Sequence, residues 1–170
     1  MTGASSSGRW RNLTGCALLL WGGVTIGVAF IATPAKFLAT TLTWTQWLDV
    51  GRHTIAVYNR LELITAAVLV AIALLTAKRV ILPVLVLPSA IVLAETLWLI
   101  PALDRPVIAF ISGARPLPSS PLHFVFICAE LLKTASLIVG GRSLLRCDSS
   151  QPPRRSGSIV LMRTLLGLPS

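Results

Sequence analysis

The apolar and polar positions divide the chain into four long apolar segments joined by shorter polar ones. Residues 13–33 are uncharged and strongly apolar, and Pro34 closes the run. Residues 63–77 form a second uncharged run of only fifteen residues. A crossing helix needs roughly 20, so the second segment is expected to start near Thr54 and to draw Asn59, Arg60 and Glu62 into its outer part. The third segment covers residues 81–103, with Pro83 and Pro88 inside it and Glu95 interrupting it. The fourth covers residues 122–140 and carries His123, Glu130 and Lys133. Each segment suits a membrane-spanning helix, so the pattern predicts an all-α, polytopic membrane protein: a four-transmembrane-helix bundle at residues 13–140.

The connectors add detail. Trp44, Trp47, Leu48, Gly51, Ile55 and Tyr58 recur at three- and four-residue spacing, with Gln46, Asp49, His53 and Arg60 on the other side. That is the signature of an amphipathic helix with tryptophans at a membrane interface, placed between spans one and two. It either lies on the surface or runs straight into span two. Residues 1–12 are expected to be disordered and cytoplasmic, and residues 141–170 to be a basic, largely disordered cytoplasmic tail. Arg9 and Arg11 precede the first apolar run as in a signal peptide, but that run is longer than a signal's core, so a retained helix is expected. Spans one and three end in Thr33-Pro34-Ala35 and Ile100-Pro101-Ala102, and spans two and four each carry a Glu, a faint internal repeat.

Composition sharpens the class. Of the 170 residues 54% are hydrophobic and only 12% charged, about half the charged share of a soluble domain. The net charge of +9 does not signal nucleic acid. The bases flank apolar segments and form no basic face interleaved with aromatics. The lipid bilayer and its anionic headgroups are the expected partner. The charge bias places Lys78, Arg79, Arg142, Arg146, Arg154 and Arg155 on one side with the N-terminus. Positive-inside logic then puts both termini in the cytoplasm. Cys16, Cys128 and Cys147 have no metal or C-x-x-C spacing and are expected as small buried side chains. No phosphate loop, nucleophile elbow or zinc-protease motif is present in the sequence. No cofactor and no metal site are expected.

The candidate chemistry lies in charges within the spans, each costing a few kcal/mol to insert. Arg60, Glu62, Glu95, His123, Glu130 and Lys133 are expected either to line a polar cavity open to the outer face, or to pair as glue between helices, Arg60 with Glu62 or Glu95 and Glu130 with Lys133. Arg60 and Lys133 would be counter-ions, and His123, two turns from Glu130, would sit at the mouth. Gly23 and Gly27 form a G-x-x-x-G pair suited to close helix packing.

Three stretches together carry a resemblance: WGGVTIGVAFIATPAKF at 21–37, LDVGRHTIAVYNRLEL at 48–63, and the run from Glu95 through LDRPVIAFISG at 103–113 to His123, Glu130 and Lys133. Over residues 13–140 the chain resembles small four-helix bacterial membrane proteins of a domain of unknown function, akin to the transmembrane protein 205-like group. The matching positions include Pro34, Lys36, Phe37, Gly51, Arg52, Asn59, Asp104 and Arg105 as an outer-interface motif. The resemblance implies the bundle, its topology and a place in the cytoplasmic (inner) membrane of a bacterium, and no catalytic residue. Three functions stay open at this point. One is binding or transport of a proton, ion or small solute through the cavity. Another is a structural subunit contacting a membrane protein or a second copy. The third is a membrane enzyme or haem protein using His123.

Overall fold

A computed structural model of the chain describes residues 3–35, 38–75, 81–114, 116 and 120–149. Every regular element in it is helical. Four helices are long and apolar enough to cross a membrane: Gly8–Ala35, Trp44–Leu75, Leu82–Ile111 and Leu122–Arg146, here spans one to four. The fold is an all-α four-helix bundle.

Its surface is apolar. Leu20, Leu75, Leu97, Phe124 and Val139 all stand well exposed. A soluble protein does not present so much contiguous apolar surface, whereas lipid covers it without penalty. Several threonine hydroxyls on the spans are satisfied inside the helix. Thr14, Thr25, Thr54, Thr65 and Thr96 each bond the carbonyl four residues back, as a dry surrounding requires.

Spans two and three are longer than the apolar runs suggest. Span two starts at Trp44, where Thr43 and Gln46 form a reciprocal capping box. The amphipathic segment and span two are thus one helix of 32 residues. Trp44 and Trp47 meet edge to face, with centroids 5.9 Å apart. Span three continues past Asp104 and Arg105 to Ile111, because nothing in that stretch forces a stop. It ends in a Schellman motif: Gly113 takes φ +75°, its N–H bonds the Phe110 carbonyl and that of Ala114 bonds the Ala109 carbonyl. At the two ends, helix begins at Gly3 and the fourth helix runs on to Ser149, where disorder was expected. Lys36, Phe37, Lys78, Arg79 and the tail from residue 150 lie outside the described residues.

Span one packs along span four, span four also meets span three, and span three meets span two; spans one and two touch only lightly. The close approach of one and four is made by glycines. A Cβ on Gly15 would stand 3.0 Å from the Gly141 carbonyl oxygen, and one on Gly141 2.9 Å from that of Gly15. Gly140 is equally closed by Val84. Gly23 and Gly27, expected to pack, have nothing within 4 Å of such a Cβ. They lie on the far side of span one from the seam that Gly15, Leu18 and Gly22 occupy. Cys16 and Cys128, expected to be buried, are exposed on the apolar surface; the side chain of Cys147 lies outside the description.

The internal repeat is visible in the burial pattern. Thr14, Leu18, Trp21 and Thr25 are buried in span one, and Ile81, Leu85, Pro88 and Val92, each 67 residues later, are buried at the start of and within span three. Tyr58, Glu62, Ala66, Leu69 and Ala73 in span two correspond to Phe126, Glu130, Thr134, Leu137 and Gly141 in span four, each 68 residues later. Both odd-numbered spans also widen into a π turn just before their Pro-Ala: Ile26–Ala32 and Glu95–Leu99. The cause is the same in each. A proline ring clashes with the carbonyl four residues back and supplies no N–H. The preceding N–H bonds five back instead, Thr33 to Val28 and Ile100 to Glu95.

Candidate functional site

Near the middle of three spans, four ionisable side chains meet. Lys133 Nζ lies 2.6 Å from Glu62 Oε2, 2.7 Å from Glu95 Oε2 and 3.0 Å from Glu130 Oε1. Spans two, three and four thus each give one carboxylate to a single ammonium. All four side chains are essentially inaccessible, at 0–2% exposure. Position along each helix explains the meeting. Glu130 and Lys133 are three residues apart on one face of span four. Glu95 opens the π turn of span three, and Glu62 lies on the buried stripe of span two with Tyr58, Ala66 and Leu69.

The three carboxylates are not equivalent. Glu62 has both oxygens engaged. Its Oε1 accepts from Trp21 Nε1 at 2.9 Å and from the Tyr58 hydroxyl at 2.5 Å, while Oε2 takes the ammonium. Thr25 Oγ1 lies 2.8 Å from the Tyr58 oxygen and donates to the Trp21 carbonyl at 3.1 Å. The Tyr58 ring also lies under the ammonium, with its centroid 5.5 Å away. Both oxygens of Glu62 thus have partners from the protein. Glu95 and Glu130 each have one oxygen on Lys133 and one with no partner: Glu95 Oε1 and Glu130 Oε2 are buried and unbonded, as is Thr134 Oγ1 one turn from Glu130. With every group ionised, three carboxylates and one ammonium leave a formal charge of −2. A buried charge without a partner is strongly unfavourable in a dry interior. Glu62 has partners on both oxygens, so the two free oxygens of the cluster are those of Glu95 and Glu130.

Of the expected set, the structure brings Glu62, Glu95, Glu130 and Lys133 together and leaves out two. Arg60 is exposed. It is two residues from Glu62, and positions two apart on a helix do not share a face. His123 is exposed as well, about 10 Å along span four from Glu130 at 1.5 Å per residue. The expected cavity open to the outer face does not reach the charges. A cavity of about 160 Å³ does exist towards that end, and its lining includes Gly51, Arg52, Ile55, Ile100, Asp104 and His123. It stops short of Glu62 by about two turns of span two. Buried Tyr58, Leu99 and Phe126 belong to the level in between.

The outer-interface motif divides likewise. Arg52 Nε bonds Asp104 Oδ1 at 2.8 Å and its NH1 bonds Asp49 at 3.1 Å, tying spans two and three together at the cavity. Gly51 is buried beside that pair, and Asn59 Nδ2 donates to Thr96 Oγ1 at 3.0 Å, one residue from Glu95. Pro34 follows the first π turn, and Arg105 is exposed. Of the side chains that complete the shell of Glu62, Trp21 and Thr25 were not singled out from sequence, and Tyr58 was placed on the amphipathic helix rather than in the site. Tyr58 and Glu62 at i, i+4 were a legible signal; Trp21 and Thr25 read as ordinary apolar and back-bonded span residues.

The three carboxylates each offer an oxygen within 4.8 Å of the others, a spacing able to hold a metal ion. The ammonium of Lys133 already touches all three. No family model matches the chain, and no curated protein or solved structure matches it.

Proposed function

We propose that this protein binds protons at the buried Glu62–Glu95–Glu130–Lys133 cluster and passes them across the cytoplasmic membrane of a bacterium, as a small integral membrane proton carrier. The observation that carries this reading is the unpartnered oxygen on each of Glu95 and Glu130, in a cluster whose ionised form is two charges from neutrality. Two protons cancel that excess and need no room. Glu62, held by Trp21, Tyr58 and Lys133, is the fixed anion of the site. Glu95 and Glu130 are the exchangeable seats, and the 160 Å³ cavity beside Arg52, Asp104 and His123 is the approach from one face.

A second reading has its own support: Lys133 joins three spans, as a purely architectural clamp would. Infrared spectroscopy in detergent at neutral pH separates the two. The proton reading expects absorption from protonated carboxyls that falls in two steps, with Glu95→Gln and with Glu130→Gln, and is unchanged by Arg105→Gln. A wild-type protein without protonated carboxyl absorption would leave the clamp.

A further inference from the structure

The cavity towards the outer end of the bundle is aliphatic over most of its wall, with Leu48 and Ile55 from span two and Ile100 and Leu103 from span three. Gly51, inside span two, lines it without a side chain to fill it. Its volume of about 160 Å³ is close to the roughly 150 Å³ of an engineered apolar cavity that takes up benzene. Charge enters this wall at one place. Arg52 and Asp104 both line the cavity, and the guanidinium gives Nε to Asp104 Oδ1 at 2.8 Å and NH1 to Asp49 Oδ1 at 3.1 Å. One cation thus serves two carboxylates, and the group keeps a formal charge of −1. Asp104 Oδ2 meets Arg52 only at 3.5 Å, so that oxygen can accept a closer, stronger donor. The neighbouring bases do not cancel the charge at the cavity. Arg105 is exposed and absent from its lining, because adjacent positions on a helix face different ways. His53, beside Asp49, belongs to the groove between spans one and two.

Going beyond the proton reading and independently of it, we propose that this cavity binds a small amphipathic organic cation, an alkylammonium of about four to six carbons, with its ammonium on Asp104 and its chain against Ile55, Ile100 and Leu103. The chain gains what any apolar group gains on leaving water. The ammonium gives an N–H to Asp104 and brings the charge of the Asp49–Arg52–Asp104 group to zero. An anion with the same chain meets a guanidinium already shared between two carboxylates and adds to the excess. A neutral alcohol fills the same space without forming the ion pair. Charge therefore selects among molecules of equal size. The seat lies about two turns of span two from Glu62, so the occupant touches none of the buried carboxylates. Arg52 competes with the ligand for Asp104. Removing the guanidinium should strengthen binding, and removing the Asp104 charge should weaken it.

The test uses the full chain in lipid nanodiscs and titration calorimetry at neutral pH, with empty nanodiscs as the blank. The probes share one butyl chain: n-butylammonium, n-butanol and pentanoate. The wild type should bind n-butylammonium saturably, with a Kd at least about tenfold below that of n-butanol, roughly 1.4 kcal/mol. Pentanoate should bind more weakly than either. Asp104→Asn should raise the Kd for n-butylammonium at least about tenfold and leave that for n-butanol unchanged, while Arg52→Gln should lower the Kd for n-butylammonium. Both residues are part-exposed, so both variants should fold; the probe series on the wild type decides the matter without them. n-Butanol or pentanoate binding as tightly as the ammonium would overturn the proposal. No saturable heat above the empty discs would do the same, as would equal Kd values in the wild type and folded Asp104→Asn. Binding is read here without proton movement, so its failure leaves the proton reading standing, and a protein without proton flux leaves the binding result intact.

Discussion

At the scale of single residues, Lys133 is the side chain on which the others depend. Truncation to Met leaves three carboxylates facing one another without a cation. Breaking a buried ion pair by removing one partner typically costs about 3–5 kcal/mol, and here three partners lose it together. Lys133→Met should therefore lower the unfolding midpoint more than any other single change in the cluster, measured by thermal unfolding in detergent. The charge-neutral Glu95→Val/Lys133→Thr variant should be more stable than Lys133→Thr alone. A double-mutant cycle checks it, and additive effects would contradict a direct Glu95–Lys133 interaction. By contrast Arg52 and Asp104, each about a third exposed, form a pair worth about 1 kcal/mol or less. Arg52→Ala should move the midpoint little. Much of this residue-level picture was legible in the sequence. A charge in an apolar run stands out at once, and the three-residue spacing of Glu130 and Lys133 announces their pairing. The partition between neighbours was not legible. Arg60 is as close to Glu62 in sequence as a counter-ion might be, yet helical phase turns it outward.

At the scale of elements, the glycines and prolines set the geometry. Gly15 and Gly141 let spans one and four approach until a Cβ would touch the opposing carbonyl. Gly141→Leu should destabilise the bundle by roughly 1–3 kcal/mol through overpacking, while Gly23→Leu should leave monomer stability unchanged. Unfolding curves of the two variants provide the check, and equal effects would contradict the packing. The G-x-x-x-G spacing at Gly23 and Gly27 misled because spacing says which residues share a face, and only the neighbours say which face is packed. Pro101 acts on the site itself. It turns the helix from Glu95 to Leu99 into a π turn, and Glu95 begins that turn. Helix limits were the least legible part. Apolar runs report where charge is absent, whereas helices end where capping chemistry ends them. Span three runs through Asp104 and Arg105 to the Gly113 cap, and span two begins at the Thr43–Gln46 cap. Both extensions shift the charges from the expected outer half towards the middle of the helices.

At the scale of the whole molecule, the bundle is apolar over much of its outside and holds four ionisable side chains at its centre. The two halves repeat a helical hairpin, and the site lies where spans two, three and four converge. The membrane architecture followed from composition and run length alone, because no soluble fold uses four such segments. The convergence of the cluster did not follow, since side-chain depth and rotation on three separate helices depend on how they pack. The central claim is that Glu95 and Glu130 are exchangeable proton seats on a path across the membrane. The most direct measurement is proton flux into liposomes holding the purified full chain, driven by a potassium diffusion potential and read with an entrapped pH dye. The account predicts flux in the wild type that falls at least about tenfold, roughly 1.4 kcal/mol in barrier, in both Glu95→Gln and Glu130→Gln, with Arg105→Gln unchanged. Flux in the folded Gln variants equal to that of the wild type, or none in any of the three, would contradict it.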